Sequence, residues 1–185
     1  MDLDKSIKER HSVRKFSSKK PDWRKIVDCI DVVRYAPTAG HNSTVKIILV
    51  DEKSKILEIA EECQQDFVGQ VHYLVVVCSS PSRLINAYGE RGEKFNNQQS
   101  GAAIENFLLK LESEGLATCW VGYFDEDNIK NLLKIPEDIH IEAILPIGYE
   151  FEKPRTKKFR IELEQILYFN DYKNKKMKSS KKIDV

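Results

Sequence analysis

The chain has 185 residues, of which 32% are charged and 41% hydrophobic, and its net charge at pH 7 is +1. This length suits one domain with a substantial core, and the balanced charge excludes nucleic acid as the expected main partner. We find no apolar run near the ~20 residues of a membrane span, and no apolar signal-peptide segment at the N-terminus. The sequence therefore predicts a cytoplasmic protein that binds neither nucleic acid nor membranes.

The N-terminal part combines a short predicted helix, Leu3–Glu9, with the cationic cluster RHSVRKF at Arg10–Phe16. In an extended segment alternate residues point the same way, so Arg10, Ser12 and Arg14 would share one side. Two guanidinium groups and a hydroxyl suit a phosphate, because guanidinium N–H groups match phosphate oxygens in pairs. The alternative is a basic helix end that complements the helix dipole.

A second candidate segment follows the next predicted helix, which Asp22 caps and which spans Trp23–Tyr35. This helix must end before Pro37, because proline disfavours the helical conformation in the residue before it. The loop 37–44, PTAGHNST, is rich in small residues that form hydrogen bonds. It suits either a ligand contact or an ordinary helix-to-strand connection.

The middle of the chain alternates strands and helices. A nearly continuous apolar run at Val71–Cys78 predicts a central strand that is covered on both faces. The segment Pro81–Asn97 lacks clear periodicity and suits a lid over a binding site or a plain surface loop. The other two elements of this region are a strand at Val45–Val50 and a helix at Lys53–Gln65.

The stretch that follows is the most informative. Ser100 is predicted to cap a helix that Gly115 ends, because glycine enters the left-handed conformation without a steric penalty. Leu116–Val121 then reads as a short buried strand that stops at Gly122, so backbone N–H groups there could face a ligand. The apolar face of the helix consists of Ala103, Ile104, Phe107, Leu108 and Leu111.

The C-terminal part contains a helix capped by Asp125 and a strand at Ile139–Glu150. The proline inside this strand predicts an edge position or a bulge. A short apolar segment, Ile161–Phe169, is too small to stand alone and suits docking on a neighbouring chain. Asn170–Val185 is rich in lysine and is predicted to be disordered. We therefore expect one domain over residues 1–169 and a tail over 170–185.

The four cysteines stand far apart in mostly apolar runs and include no C-x-x-C pair. This pattern favours reduced, buried thiols over a disulfide framework or a zinc site. No histidine–carboxylate cluster has the spacing of metal ligands, so we expect no metal. The cysteines are Cys29, Cys63, Cys78 and Cys119.

Four segments resemble, in the same order, those of the flavin-dependent nitroreductase family, and they cover roughly residues 7–169. The resemblance implies an α+β fold of three layers, with a mostly antiparallel sheet flanked by helices, and an intertwined homodimer. It also implies two FMN sites at the subunit interface. The segments are R-H-S-V-R at 10–14, A-P-T-A at 36–39, Asn106 with G-L-A-T-C-W-V-G at 115–122, and Gly148-Tyr149 with R-I-E-L-E-Q-I at 160–166.

The resemblance also implies a role for each matching residue. Cations and Ser12 would hold the FMN phosphate, the 37–39 loop of the other subunit would pack on the flavin ring, and the 121–122 amides would face its N5 edge. The flavin carries the redox chemistry, so no catalytic side chain is expected. Hydride would pass from NADH or NADPH to a nitroaromatic, quinone or similar flat acceptor. The predicted cofactor-binding residues are Arg10, His11, Ser12, Arg14, Pro37, Thr38, Ala39, His41, Val121, Gly122, Lys158 and Arg160.

The chain departs from the family pattern in the loop, which usually continues N-x-Q-P-W. Here those positions hold His41, Ser43, Thr44 and Val45, and serine is shorter than the glutamine it replaces. Near Gln99 the family often has aspartate. Two alternatives stay open, the first because other flavin reactions occur on similar scaffolds and the second because of the altered loop. One is another flavin reaction, namely dehalogenation, flavin breakdown or dehydrogenation, and the other is a flavin-binding module without enzymatic activity.

Overall fold

The computed structural model describes residues 2–152 and 160–177. They fall into two compact units, divided between Lys153 and Pro154, and each unit is described by itself. Lys158 and the tail residues 178–185 lie outside the described residues, so the predictions made for them stay predictions.

The first unit is built on three antiparallel strands in the order β1-β2-β3. All seven residues of β2 are buried, as the apolar run of the central strand predicts. Pro146 lies in β3, which is an outer strand of this sheet, so the predicted edge position is confirmed. The bulge in β3 lies at Glu142, opposite Val77 and Cys78, instead of at the proline. The strands are β1 Val45–Val50, β2 Tyr73–Ser79 and β3 His140–Ile147.

Helices cover both faces of the sheet. Because side chains alternate along a strand, Val76 of β2 packs with Ile56 and Ile129 on one face. Val75 packs with Ile26 and Phe107 on the other. The three-layer α+β prediction is confirmed. The helices are α1 Leu3–Glu9, α2 Trp23–Ile30, α3 Lys53–Glu62, α4 Ser82–Tyr88, α5 Arg91–Ser113 and α6 Glu126–Leu133.

Local signals set several helix ends correctly. The carboxylate of Asp22 accepts a hydrogen bond from the Arg24 N–H at 2.9 Å. Asp125 accepts one from the Asn128 N–H at 3.1 Å, so both predicted caps are confirmed. After Ile30 the chain continues to Tyr35 as a 3₁₀ turn.

The start of α5 differs from the prediction. The helix begins at Arg91 instead of Ser100, and α4 fills most of the remaining segment that we interpreted as a lid or loop. Ser100 is a wholly buried residue inside the helix. The interpretation was wrong because the buried residues of this first part are small or polar, so hydrophobic periodicity does not register them. They are Gly92, Asn96, Gln99 and Ser100.

The predicted strand at Leu116–Val121 is also wrong as a regular element. This segment, which follows the left-handed Gly115 (φ 69°), pairs with the β3 region through two isolated bridges. The Ala117 N–H donates to the Gly148 carbonyl at 2.8 Å, and the Val121 N–H donates to the Ile144 carbonyl at 3.0 Å. The segment is nevertheless buried along most of its length, as predicted.

The second unit, described over residues 160–177, contains a short helix, α7 Leu163–Ile166. Tyr168 and Tyr172 stack with their ring centroids 4.5 Å apart. The apolar side chains of Ile161, Leu163 and Ile166 are more than half exposed. Across both described ranges, no helix has the length and apolar character that crossing a membrane requires.

Candidate cofactor site

The cationic N-terminal segment is held between two other parts of the first unit. The Val13 N–H donates to the Thr118 carbonyl at 2.9 Å. Phe16 bridges to Glu150, and the Ser17 N–H donates to the Tyr149 carbonyl at 2.8 Å. Two buried anchors, Val13 and Phe16, thus attach this segment beside the 117–121 segment.

The side chains next to these anchors remain accessible. Ser12 and Arg14 are exposed, and Arg10 and His11 are half-buried. The Arg10 Nε lies 3.5 Å from a carboxylate oxygen of Glu105 in α5. The structure therefore places these four predicted residues on one short segment, and it partly balances the charge of Arg10.

His11 is oriented by contacts on both ring nitrogens. Its Nε2 lies 2.7 Å from the Glu150 carboxylate, and its Nδ1 lies 3.0 Å from the Glu9 carbonyl.

Gly148 makes the nearby packing of Phe16 possible, because a Cβ there would lie 2.9 Å from the Phe16 ring. The Gly148-Tyr149 motif therefore needs glycine at its first position, because a larger residue would clash with the Phe16 ring.

The segment around Trp120 offers an open surface. Trp120 and Tyr123 are 40% and 69% exposed. A Cβ at Gly122 would have the Trp120 Nε1, 3.9 Å away, as its nearest neighbour. Within residues 2–152 the Gly122 N–H donates no hydrogen bond, whereas the Val121 N–H is engaged with Ile144. Of the two predicted amides, only that of Gly122 is available to a ligand.

Thr118 adds a further polar group that the sequence analysis did not select. Its hydroxyl is buried and has no partner among the described residues. Buried hydroxyls are nearly always hydrogen-bonded, so an unpaired one calls for an explanation, such as a bound group. The backbone carbonyl of the same residue accepts from the Val13 N–H, so Thr118 is the residue to which the cationic segment is attached.

The 37–44 loop is anchored to α5 by a residue that the sequence analysis treated only as a departure. Gln99 is 5% exposed. Its Oε1 accepts from the Ala39 N–H at 3.1 Å. Its Nε2 donates to the Asn42 carbonyl at 3.2 Å and to the Thr44 hydroxyl at 2.5 Å. No sequence signal could have identified it, because a buried polar residue is distinguished from an exposed one only by its partners.

The predicted residues of the loop differ in exposure. Pro37 and His41 are exposed, whereas Thr38 and Ala39 are half-buried. Arg160 is described as an exposed residue of the second unit. The structure does not test the predicted roles of these residues.

The four cysteines are buried and free, as predicted. Burial raises the pKa of Cys63 to about 12. Burial also raises the pKa of Cys29 and Cys78 to about 11, with smaller contributions from nearby carboxylates. Thiolates are the reactive form, so these three residues are unreactive near neutral pH.

A family model with the description "Nitroreductase family" matches residues 7–65 and 54–149, which is more than half of the chain. The chain belongs to the nitroreductase family. The four motifs quoted above thus identified the family correctly.

The relatives of this chain are named for more than one reaction. A Methanothermobacter thermautotrophicus protein, provisionally named an NADH dehydrogenase/NAD(P)H nitroreductase, is 29% identical over 89% of this chain and 88% of its own length. The iodotyrosine deiodinase of Thermotoga neapolitana is 23% identical over 89% of this chain and 96% of its own.

The chain also shares its fold with solved structures. The NADPH:FMN oxidoreductase of Vibrio harveyi, complexed with NAD+, superimposes with a TM-score of 0.82. The match covers 93% of this chain and 78% of the other, at 21% identity, so it bears on the fold alone.

Proposed function

We propose that this nitroreductase is a cytoplasmic, homodimeric FMN-dependent oxidoreductase. It passes a hydride from NADH or NADPH to a nitroaromatic, a quinone or a similar flat acceptor. The observation that carries the proposal is the Gly122 N–H, which donates no hydrogen bond within residues 2–152 and follows closely in the chain after Thr118, the residue whose carbonyl holds Val13 of the cationic segment. The name of the Methanothermobacter protein supports the hydride donor.

The residues present fit FMN. Arg10, Ser12 and Arg14 offer cations and a hydroxyl to the phosphate, because guanidinium groups bind phosphate oxygens in pairs. Arg160 and Lys158 remain proposed additions to that group. The open surface at Gly122 would hold the ring, and the Gly122 N–H would be available to donate a hydrogen bond to it. The flavin supplies the two-electron chemistry when bound, and the protein supplies position and electrostatics.

The homodimer is part of the proposal. In it the loop residues Pro37, Thr38, Ala39 and His41 serve the cofactor of the partner subunit. The exposed apolar side chains of residues 161–166 support docking of that segment on a second copy, since such patches mark interaction sites. The four buried, free thiols suit a reducing compartment.

A second candidate is reductive dehalogenation on the same cofactor. The deiodinase relative supports it, because the match spans 96% of that protein. This reaction needs the reduced flavin but binds a halogenated aromatic compound in place of a nitroaromatic one.

The first experiment is a visible absorption spectrum of the purified protein, followed by anaerobic addition of NADH and then of NADPH. We expect a flavin band that bleaches with one of them and returns when a nitroaromatic compound is added. A band that no pyridine nucleotide bleaches would overturn the proposed hydride donor, and a halogenated tyrosine would then be tested with dithionite as reductant. Protein that stays colourless after FMN is added would overturn the cofactor.

A matched pair of variants tests the phosphate group. Arg14→Ala should raise the Kd for FMN at least tenfold, because a charge-assisted hydrogen bond is lost. Arg24→Ala removes another exposed arginine, on α2, and should leave the Kd unchanged. Equal effects of both variants would mean that Arg14 acts through net charge alone.

A further inference from the structure

All the hydrogen bonds of the Gln99 side-chain amide go to the 37–44 loop. The two N–H groups of its Nε2 go to the Asn42 carbonyl and the Thr44 hydroxyl, and its Oε1 takes the Ala39 N–H. An amide side chain has two such donors, so no donor is left for a ligand. Gln99 therefore acts on the loop and not directly on a substrate or cofactor.

The loop that it holds has an uncommon backbone. Gly40 and His41 both adopt left-handed conformations, with φ of 57° and 58°. Residues other than glycine are uncommon in this conformation, although histidine enters it more readily than most, and it persists where the surroundings stabilise it. The three hydrogen bonds of Gln99 reach Ala39 before these two residues and Asn42 and Thr44 after them. Contacts on both sides can hold the two residues in this conformation.

Tyr88 of α4 packs against the same loop at Gly40. A Cβ at Gly40 would overlap with the Tyr88 hydroxyl. Tyr88 in turn packs edge-on against Phe95 of α5, with ring centroids 5.3 Å apart. The first part of α5 and the end of α4 thus confine the loop, while the side chain of His41 stays exposed.

We propose that Gln99 is a positioning residue for the cofactor ring, because it holds the 39–44 loop in the conformation that presents His41. This inference rests on the proposed function, in which that loop packs on FMN. It deepens the function by assigning loop geometry, and with it FMN affinity, to a buried side chain that does not contact the cofactor.

The test compares Gln99→Leu with Gln98→Leu, which changes the same residue type at the neighbouring, exposed position of α5. The Kd for FMN is measured by the quenching of FMN fluorescence, and the amide hydrogen exchange of residues 39–42 is followed in the apoprotein. In Gln99→Leu we expect a Kd at least tenfold higher and faster exchange at Ala39 and Asn42. Gln98→Leu should match the wild type in both.

Gln99→Glu separates positioning from general stability. An ionised carboxylate cannot donate to the Asn42 carbonyl, whereas the protonated acid can donate one hydrogen bond and still accept from Ala39. Burial raises the pKa of a carboxyl, so acidification from about pH 8 to about pH 5 should protonate it. The ratio of its Kd to the wild-type Kd should therefore fall on acidification. The ratio cancels any pH dependence of FMN binding that the two proteins share.

Three results would contradict the inference. If the wild type binds FMN and Gln99→Leu binds it as tightly as Gln98→Leu does, the positioning role fails while the proposed function stands. If the Gln99→Glu ratio does not change with pH, the hydrogen bonds are not what positions the loop. A wild-type protein that binds no FMN would overturn both proposals.

Discussion

The two parts of helix α5 differ in what they bury, although they belong to one continuous element. From Arg91 to Ser100 the buried side chains include three polar ones, those of Asn96, Gln99 and Ser100. From Gly101 to Ser113 the buried residues are all apolar, and they face the sheet together with α2. The first part holds a functional loop, and the second part holds the core.

The two parts need different chemistry because they do different things. Apolar burial is non-directional, so it stabilises the sheet but specifies no loop conformation. Hydrogen bonds are directional, so the amide of Gln99 can define the loop. Asn96 likewise ties α5 to the sheet, because its Nδ2 donates to the Ser79 hydroxyl at 2.8 Å and to the Glu142 carboxylate at 3.1 Å. A change in either part should therefore affect stability and cofactor binding differently.

The largest effect is expected in the apolar part. Phe107 is wholly buried, so Phe107→Ala should lower the free energy of unfolding by about 3–5 kcal/mol through lost burial and the cavity left behind. Chemical denaturation measures this loss. The Kd for FMN of the folded variant should be unchanged. Gln99→Leu, in contrast, is expected to raise that Kd. A loss well below this range would mean that α5 is loosely packed on the sheet.

An intermediate effect is expected where α4 crosses the polar part. A Cβ at Gly92 would overlap with backbone atoms of Leu84 and Ile85. We expect Gly92→Ala to cost about 2–3 kcal/mol in thermal unfolding, because backbone must move to relieve the overlap.

Gly101 of the same helix is the matched control for Gly92. A Cβ at Gly101 would meet no heavy atom of another element within 4 Å among the described residues. Gly101→Ala should therefore gain about 0.5–1 kcal/mol, because alanine loses less backbone entropy than glycine in a helix. If Gly101→Ala instead lowered the free energy of unfolding, Gly101 would have to pack against atoms outside the described residues.

The smallest effect is expected at the end of the apolar part. A hydrogen bond from Lys110, with the charges of Lys110 and Lys25, holds the pKa of the Glu114 carboxyl below its usual value. Because the pKa is lowered in the folded state, the stabilisation is present above the unfolded pKa and is lost as pH falls through the folded pKa. Glu114→Gln should cost only about 0.3–0.5 kcal/mol at neutral pH, since the pair is largely exposed. The difference from the wild type should vanish in acid, and a difference independent of pH would exclude the ion pair as its cause.

Local and periodic features were predictable from the sequence alone. The caps at Asp22 and Asp125, the helix end at Gly115 and the buried strand β2 depend on neighbouring residues or on apolar spacing, and all four agree with the structure. The family also followed from the sequence, because its motifs are short segments in a set order.

Contacts between distant segments could not be predicted in this way. The three hydrogen bonds of Gln99 and the engagement of the Val121 N–H depend on partners that lie more than 20 residues away. A buried polar side chain looks in sequence like an exposed one, because only its partner distinguishes the two. The sequence by itself thus determined most of the elements and the family, through local capping, apolar periodicity and ordered motifs. Only the tertiary structure decided which polar groups are engaged and which, like the Gly122 amide, are left for a ligand.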